Sequence, residues 1–199
     1  GAGVISGKKH VNFPGAKIKL PTITAKDKKD IKEGLKLGVD FIALSFVRSD
    51  KDVQELSSLL KRVKNKPEIF AKIEDQQGMD SIEVITKHSD GLLVARGDLG
   101  IETDITNLPY VQRKMVKVAL QSGKKCIVAT QLLESMVTNP HPTRAEVSDV
   151  ANAVYEGADA LMLSAETTIG DFPLKCVKYL SDIAKNAERS ETLHFENNM

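Results

Sequence analysis

The chain has 199 residues, of which 28% are charged and 41% hydrophobic, and its formal net charge is +1. This length suffices for one domain with a sizeable core, and the balance of residue types is that of a globular protein. So small a net charge argues against a nucleic-acid-binding surface, and every apolar run is far shorter than a membrane span. Because no basic-then-apolar leader opens the chain, we expect no secretory signal and a cytoplasmic location.

The opening segment, residues 1–19, is rich in Gly and Lys and alternates only weakly. It has the character of the tail of another element rather than the start of a domain. The first residue is Gly1 rather than Met, so we expect a piece of a longer protein.

Helical and strand patterns then alternate along the chain. Five apolar runs predict strands: Phe41–Phe46, Ile69–Glu74, Leu92–Ala95, Cys126–Thr130 and Ala160–Leu163. Helices are predicted at Ala25–Lys36, from Ser49 or Asp50 to Val63, at Ser81–Lys87, at Pro109–Gln121, after Thr143 and from Pro173. The strand-to-strand spacing of about 24–34 residues is that of repeated βα units, which build parallel sheets.

Helix-start and helix-stop residues support these assignments. Thr24 with Asp27, and Thr143 with Glu146, have the spacing of a capping box, and Gly38 follows the first predicted helix. The apolar stripes expected to face inward are Val53, Leu56, Leu59, Leu60 and Val63; Val147, Val150, Ala151, Val154 and Tyr155; and Leu174, Val177, Leu180, Ile183 and Ala184.

Each predicted strand runs into polar residues at its carboxyl end, as at the active-site rim of a parallel (β/α)8 TIM barrel. We therefore predict an α/β fold, here a partial barrel of about five βα units. Five units alone leave two open sheet edges, so either three strands are missing or the sheet is an open one.

Lys72 and Glu74 lie two residues apart in a predicted strand and should point to the same face. Lys72 is a fixed positive charge suited to a phosphate or a developing oxyanion, unless it pairs with a carboxylate for stability alone. Glu74 suits a hard cation, and Asp98, after the next strand, could approach it. Two carboxylates with substrate oxygens and waters are a usual Mg²⁺ site, although an ordinary rim salt bridge is the alternative.

Gly97 and Gly100 flank Asp98, and a helical turn beginning there would offer free amides to a carboxylate or phosphate. Thr130 could donate its hydroxyl to a ligand carboxylate, and Gln131 could order the loop. Ser164 and Glu166 follow the last strand, and they could either give structural support or relay a proton.

Three arginines leave alternatives open: Arg48 and Arg96 could bind an anion or pair with a helix carboxylate, and Arg144 belongs to a helix-start network or a subunit contact.

Cys126 and Cys176 are expected to be ordinary thiols in a reducing cytosol. The histidines (His10, His88, His141 and His194) are scattered, and no spacing suits zinc. Phosphoryl transfer or enolate chemistry fits these residues, whereas hydride transfer lacks a Gly-x-Gly-x-x-Gly motif and a serine triad lacks a nearby histidine.

Several long strings resemble the pyruvate kinase family, in the family's order. They are residues 11–15 (VNFPG), 71–74 (AKIE), 95–100 (ARGDLG), 129–136 (ATQLLESM), 142–154 (PTRAEVSDVANAV) and 162–167 (MLSAET). The resemblance covers about residues 10 to 190 and implies transfer of the phosphoryl group of phosphoenolpyruvate to ADP, giving pyruvate and ATP in glycolysis. It also implies Mg²⁺ or Mn²⁺, commonly K⁺, and a homotetramer.

The resemblance implies a role for each matching residue. Lys72 would neutralise the enolate and the transferring phosphoryl group, and Glu74 and Asp98 would hold the divalent cation. The amides of Gly97 and Asp98, together with Thr130, would receive the substrate carboxylate. Ser164 would lie near the side from which the enolate is protonated.

The family pattern also implies a division of the chain. Residues 1–20 would be the end of a lid domain and the return strand, 21–190 the C-terminal part of the catalytic barrel, and 191–199 the start of a connection to a C-terminal domain. The family's first three strands, with the K⁺ ligands and a phosphate-binding arginine, would be missing. We therefore expect little activity from this chain alone.

The chain departs from the family pattern at a few rim positions: Asp75 stands where Asn is usual, Ala165 where Gly is usual, and Thr168-Ile169 where Ala-Lys is usual. Asp75 could alter the rim electrostatics. Two alternatives remain: a non-catalytic truncated barrel or interface scaffold, and another metal-dependent enolate enzyme such as an aldolase or mutase. The long family strings argue against the second.

Overall fold

The computed structural model describes residues 21–190, which form a five-stranded sheet with helices between the strands. The strands are β1 (Phe41–Leu44), β2 (Glu68–Ile73), β3 (Gly91–Ala95), β4 (Lys125–Ala129) and β5 (Ala160–Met162). Each strand pairs in parallel with the next one along the chain, so the sheet order is β1-β2-β3-β4-β5. The predicted α/β class with five βα units is confirmed.

Within the described range the α-helices are α1 (Ala25–Leu37), α2 (Asp50–Leu59), α3 (Gln76–Asp80), α4 (Ile82–His88), α5 (Arg96–Glu102), α6 (Leu108–Gln121), α7 (Arg144–Tyr155), α8 (Ala165–Thr168) and α9 (Pro173–Ser190). Short 3₁₀ turns lie at Ile105–Asn107 and Glu134–Val137. The sequence pattern predicted α1, α2, α4, α6, α7 and α9. It missed α3 and α8, because one helical turn is too short to show a helical period.

The helix ends follow the predicted chemistry. Thr24 and Asp27 form a capping box at the start of α1, and Gly38 ends this helix in the left-handed conformation at φ +74°. Thr143 and Glu146 form the capping box of α7. These contacts satisfy backbone groups that have no partner inside the helix.

The main core lies between one face of the sheet and the helices that cover it. Alternate strand residues supply the sheet side of this core: Ile69, Ala71, Ile73, Leu92, Val94, Cys126 and Val128. On the other face, Leu93, Ala95 and Ala129 form a small second cluster with Ile127. The alternation of strand side chains therefore separates a helix-covered face from a face that leads to the rim residues.

Three apolar stripes differ in part from expectation. On α9, Leu174 and Val177 are 86% and 53% exposed, whereas Cys176, Ile183 and Ala187 are buried. The helix carries two adjacent apolar stripes and packs against α7 and α8 with the one containing Cys176. Similarly exposed at the margins of their stripes are Leu59, Val147 and Tyr155.

Cys126 and Cys176 are free and buried, as expected of ordinary thiols. Burial raises the pKa of Cys126 to about 12, so this thiol stays protonated near neutral pH. No helix in residues 21–190 is long and apolar enough to cross a membrane. The expected lid segment at 1–20 and the connection at 191–199 lie outside the described residues.

Candidate active site

The carboxyl end of β2 places Lys72 and Glu74 on the same face of the sheet, as the strand period predicted. Lys72 Nζ lies 2.7 Å from Glu74 Oε1 and donates to Ser45 Oγ at 2.9 Å. The Glu74 side chain is 2% exposed and that of Lys72 is 24% exposed. A buried carboxylate thus anchors an ammonium that still reaches solvent.

The second oxygen of Glu74 holds the backbone that follows β1. Phe46 donates its amide to Glu74 Oε2 at 2.6 Å, and this residue has φ +52°, in the left-handed region. A bulky residue rarely adopts that conformation unless its surroundings fix it. Sequence reasoning assigned no role to Ser45 or Phe46, because the polar contacts that single them out join the segment after β1 to the end of β2.

Asp98 lies in the first turn of α5 and is half-buried. Because β2 and β3 are paired, with Ile73 opposite Val94, Glu74 and Asp98 follow neighbouring strand ends. Among residues 21–190, no group of three or more His, Cys, Asp or Glu side chains could enclose a metal by itself. Two carboxylates fit Mg²⁺ as a donor set when substrate oxygens and waters complete the coordination shell.

At the end of β4, Thr130 and Gln131 are consecutive non-glycine residues with positive φ, +69° and +53°. The Thr130 Oγ1 atom accepts the amide of Gly97 at 2.9 Å. A helical turn does begin after β3, as α5, but its Gly97 amide is directed to Thr130. A ligand carboxylate could use this amide only by replacing that hydrogen bond.

Arg96 is buried and pairs with a helix carboxylate, the second of its two predicted alternatives. Its Nη1 lies 2.7 Å from Asp149 Oδ2 on α7, and its Nε and Nη2 donate to the carbonyl of Thr130. Nη2 also donates to the carbonyl of Gln131 at 2.9 Å. The hydrogen bonds of this guanidinium therefore go to protein groups, and we assign it no direct role in binding an anion.

Arg48 likewise pairs with a carboxylate, and this contact explains how the chain accommodates Asp75. Arg48 Nε lies 2.8 Å from Asp75 Oδ2, while Asp75 Oδ1 accepts the amide of Gly78 and caps α3. The extra negative charge at the rim is thus balanced by a neighbouring guanidinium.

Glu166 is fully buried and joins the ends of two strands. Its Oε1 accepts the amide of Leu133 at 3.1 Å, and its Oε2 accepts that of Ser164 at 2.8 Å. These contacts favour the supporting role for Glu166, while proton handling by Ser164 stays a prediction. Arg144 is exposed at the start of α7, and Ile169 is 77% exposed after α8.

Comparison with known proteins gives a consistent result. A family model described as the barrel domain of pyruvate kinase matches residues 1–177. A pyruvate kinase of Staphylococcus epidermidis is 50% identical over 189 residues, which cover 95% of this chain and 32% of that protein. Pyruvate kinases of two Staphylococcus aureus strains are 49% and 48% identical over 190 residues, covering 96% of this chain and 32% of theirs. The chain thus spans about a third of the length of these curated relatives.

Proposed function

Because the chain belongs to the pyruvate kinase family, we propose that it supplies part of a barrel that transfers the phosphoryl group of phosphoenolpyruvate to ADP, giving pyruvate and ATP. The observation that carries this proposal is the ammonium of Lys72, partly exposed at the rim and anchored by the buried Glu74. Phosphoryl transfer needs mostly positioning and electrostatic stabilisation, which such a pair supplies.

Lys72 would act on the charge that develops during transfer. The strand fixes its backbone, and Ser45 and Glu74 direct its ammonium. In a partly buried site, such a charge stabilises an enolate oxygen or a phosphoryl group far more strongly than it would in water.

Glu74 and Asp98 would hold Mg²⁺ or Mn²⁺. When bound, the divalent cation would neutralise charge on the phosphoryl oxygens and orient the substrate. To take part, Glu74 would share Oε1 between Lys72 and the cation while Oε2 keeps the Phe46 amide. The family's K⁺ would be bound by residues outside this chain.

Thr130 and the amide of Asp98 would receive the substrate carboxylate, and the amide of Gly97 would join them only where the ligand replaces its hydrogen bond to Thr130. With its oxygen accepting the Gly97 amide, the Thr130 hydroxyl retains its hydrogen as a donor to the ligand. Ser164 would lie on the side from which the enolate takes its proton.

The other family properties are proposals of the same kind. Phosphoenolpyruvate and ADP would be the ligands, without nucleic acid or membrane partners, in a homo-oligomer, a tetramer in the family, that works in cytoplasmic glycolysis. The relatives bearing the name pyruvate kinase support the substrates, while the assembly needs a direct measurement, such as light scattering.

A coupled pyruvate-formation assay tests the function in two proteins. In the first, called the grafted enzyme, this chain replaces the matching third of the S. epidermidis pyruvate kinase. We expect its turnover to lie within about tenfold of the parent, a difference of about 1.4 kcal/mol in barrier height. A folded grafted enzyme without turnover would contradict the proposal.

The second protein is the purified 199-residue chain itself. We expect little or no pyruvate from it, because it spans about a third of its relatives. Turnover near that of a full-length relative would refute this expectation and leave the assigned chemistry intact.

A further inference from the structure

The loop after β4 holds an unusual backbone conformation. Among the described residues, the non-glycine residues with positive φ are Phe46, Thr130 and Gln131, and the last two are adjacent. A β-branched residue such as Thr130 is an outlier in the left-handed region. Such a conformation persists only where surrounding contacts fix it, and it is concentrated at functional sites.

One buried side chain donates to the carbonyls of both residues, Thr130 and Gln131. Arg96, which is 6% exposed, donates from Nε and Nη2 to the Thr130 carbonyl at 3.1 and 2.7 Å. Nη2 also donates to the Gln131 carbonyl at 2.9 Å. A planar guanidinium can serve two adjacent carbonyls in this way, whereas a lysine ammonium lacks the fork geometry.

The remaining side of the guanidinium faces outward, toward α6 and α7. Nη1 donates to both carboxylate oxygens of Asp149 at 2.8 and 2.7 Å and to Gln112 Oε1 at 3.3 Å. The charge of Arg96 is therefore balanced away from the rim. It acts on the loop and leaves the electrostatics of the pocket to other residues.

Gly97, the residue after Arg96, holds the Thr130 side chain. Gly97 donates its amide to Thr130 Oγ1 at 2.9 Å, while the Arg96 side chain holds the carbonyl of the same threonine. A hydroxyl has one hydrogen and two lone pairs, so an amide on the oxygen directs the hydrogen elsewhere. Two consecutive residues thus hold Thr130 at both its backbone and its side chain.

We propose that Arg96, backed by Asp149, is a positioning residue that orients the Thr130 hydroxyl as a hydrogen-bond donor to the substrate carboxylate. This inference rests on the proposed function. Arg96 contacts neither substrate nor metal, and its effect on turnover passes through Thr130.

A double-mutant cycle in the grafted enzyme tests this dependence. We expect Thr130→Val, which keeps the β-branched shape, to lower kcat/KM about 100-fold, and Arg96→Lys to lower it about 30-fold. In the Thr130→Val background, Arg96→Lys should cost less than about threefold, because the hydroxyl that it positions is gone. Thr130→Ser keeps the hydroxyl and should keep the full sensitivity to Arg96→Lys.

Arg113→Lys is the matched control. Arg113 also pairs with a carboxylate, Glu156 Oε1 at 3.3 Å, but its own side chain is 69% exposed, whereas that of Glu156 is 5% exposed. This variant should leave kcat/KM within about twofold, since lysine keeps a positive charge beside Glu156 and the contact that is lost belongs to a mostly exposed side chain.

The outcomes separate this inference from the proposed function. If Arg96→Lys costs the same factor with and without the Thr130 hydroxyl, Arg96 has a general structural role and the inference is wrong. If Thr130→Val leaves kcat/KM unchanged, the proposed role of Thr130 in binding the substrate carboxylate is wrong, and so is the inference about Arg96. Should Arg96→Lys not fold, Asp149→Asn replaces it, with an expected loss of about fivefold that must again shrink in Thr130→Val. An equal loss in both backgrounds overturns the inference.

Discussion

Two corners of the same rim hold a strained backbone in different ways. In the lysine corner (Ser45, Phe46, Lys72 and Glu74), the carboxylate that fixes the left-handed Phe46 also pairs with the lysine. In the arginine corner (Arg96, Gly97, Thr130, Gln131 and Asp149), the guanidinium that fixes the loop has its counter-ion on a separate helix.

The two corners differ in whether a single side chain serves both the fold and the proposed chemistry. Glu74 uses one oxygen for the backbone and the other for Lys72, so a change there should affect stability and activity together. Arg96 donates only to protein groups, the loop carbonyls and Asp149 among them, and the proposed donor to the substrate is the Thr130 hydroxyl. Substitutions in this second corner should therefore separate the two effects.

The largest effect is expected for Lys72→Met in the grafted enzyme. Removing the ammonium should lower kcat about 1000-fold, because the charge that develops on the phosphoryl group and the enolate loses its fixed partner. Steady-state kinetics with phosphoenolpyruvate and ADP measure this loss. A fall in kcat of less than about tenfold would remove Lys72 from the chemistry.

Lys125→Met provides the matched control for Lys72. Lys125 also pairs with a glutamate on a strand, Glu68 Oε2 at 2.8 Å, but it begins β4 at the opposite end of the sheet. Its loss should leave kcat within about twofold, as expected for an exposed ion pair.

Glu74→Gln should reduce both properties and so tests the claim that this carboxylate is shared. We expect kcat to fall about 100-fold and the free energy of unfolding to fall by about 2 kcal/mol, since Lys72 loses its buried counter-ion. Kinetics of the grafted enzyme and urea denaturation of the purified chain give the two values. A large loss of kcat without loss of stability would show that the two corners do not differ as described.

The lysine corner was accessible to sequence reasoning, because the period of two in a strand is local. Lys72 and Glu74 had to share a face once Ile69–Glu74 was assigned as a strand, and the ion pair confirms it. The parallel sheet was equally accessible from the alternation of strands and helices. What the sequence did not indicate was that Glu74 also receives the Phe46 amide, which comes from the segment after β1.

The arginine corner was hidden for a physical reason. Arg96 and Asp149 are 53 residues apart, so their pairing depends on how α7 packs against the end of the sheet. The positive φ of Thr130 has no local sign, because β-branched residues disfavour it. On α9 the choice between two apolar stripes was likewise settled by packing, which buries Cys176 and exposes Leu174.

A smaller effect, on stability alone, is expected for Glu166→Gln beside the arginine corner. The amide nitrogen of glutamine cannot accept from Leu133 or Ser164, so one buried amide loses its acceptor. The free energy of unfolding should fall by about 1–3 kcal/mol, while kcat changes by less than about threefold. Urea denaturation and kinetics measure the two. A loss of kcat above about tenfold at unchanged stability would instead support the proton-relay alternative.

The smallest effect is expected for Glu146, which caps the start of α7, the helix that carries Asp149. Burial alone would raise the pKa of Glu146, but hydrogen bonds from Ser135 and Thr143 outweigh it and lower this pKa below its ordinary value of 4.5. A lowered folded-state pKa means that the contribution of this carboxylate to stability is present above pH 4.5 and is lost as the pH falls through the folded value. The ionised Glu146 therefore fixes the helix that carries Asp149 at neutral pH.

Glu146→Gln should lower the free energy of unfolding by about 1 kcal/mol at pH 7, the usual contribution of a helix cap. The difference from the wild-type chain should stay constant down to about pH 4.5 and shrink below it, because protonation of Glu146 removes the same charge that the substitution removes. Urea denaturation of both proteins across this range measures the difference. A gap that widens in acid would mean that the carboxylate strains the start of α7 rather than caps it, and the arginine corner would then draw its support from the sheet alone.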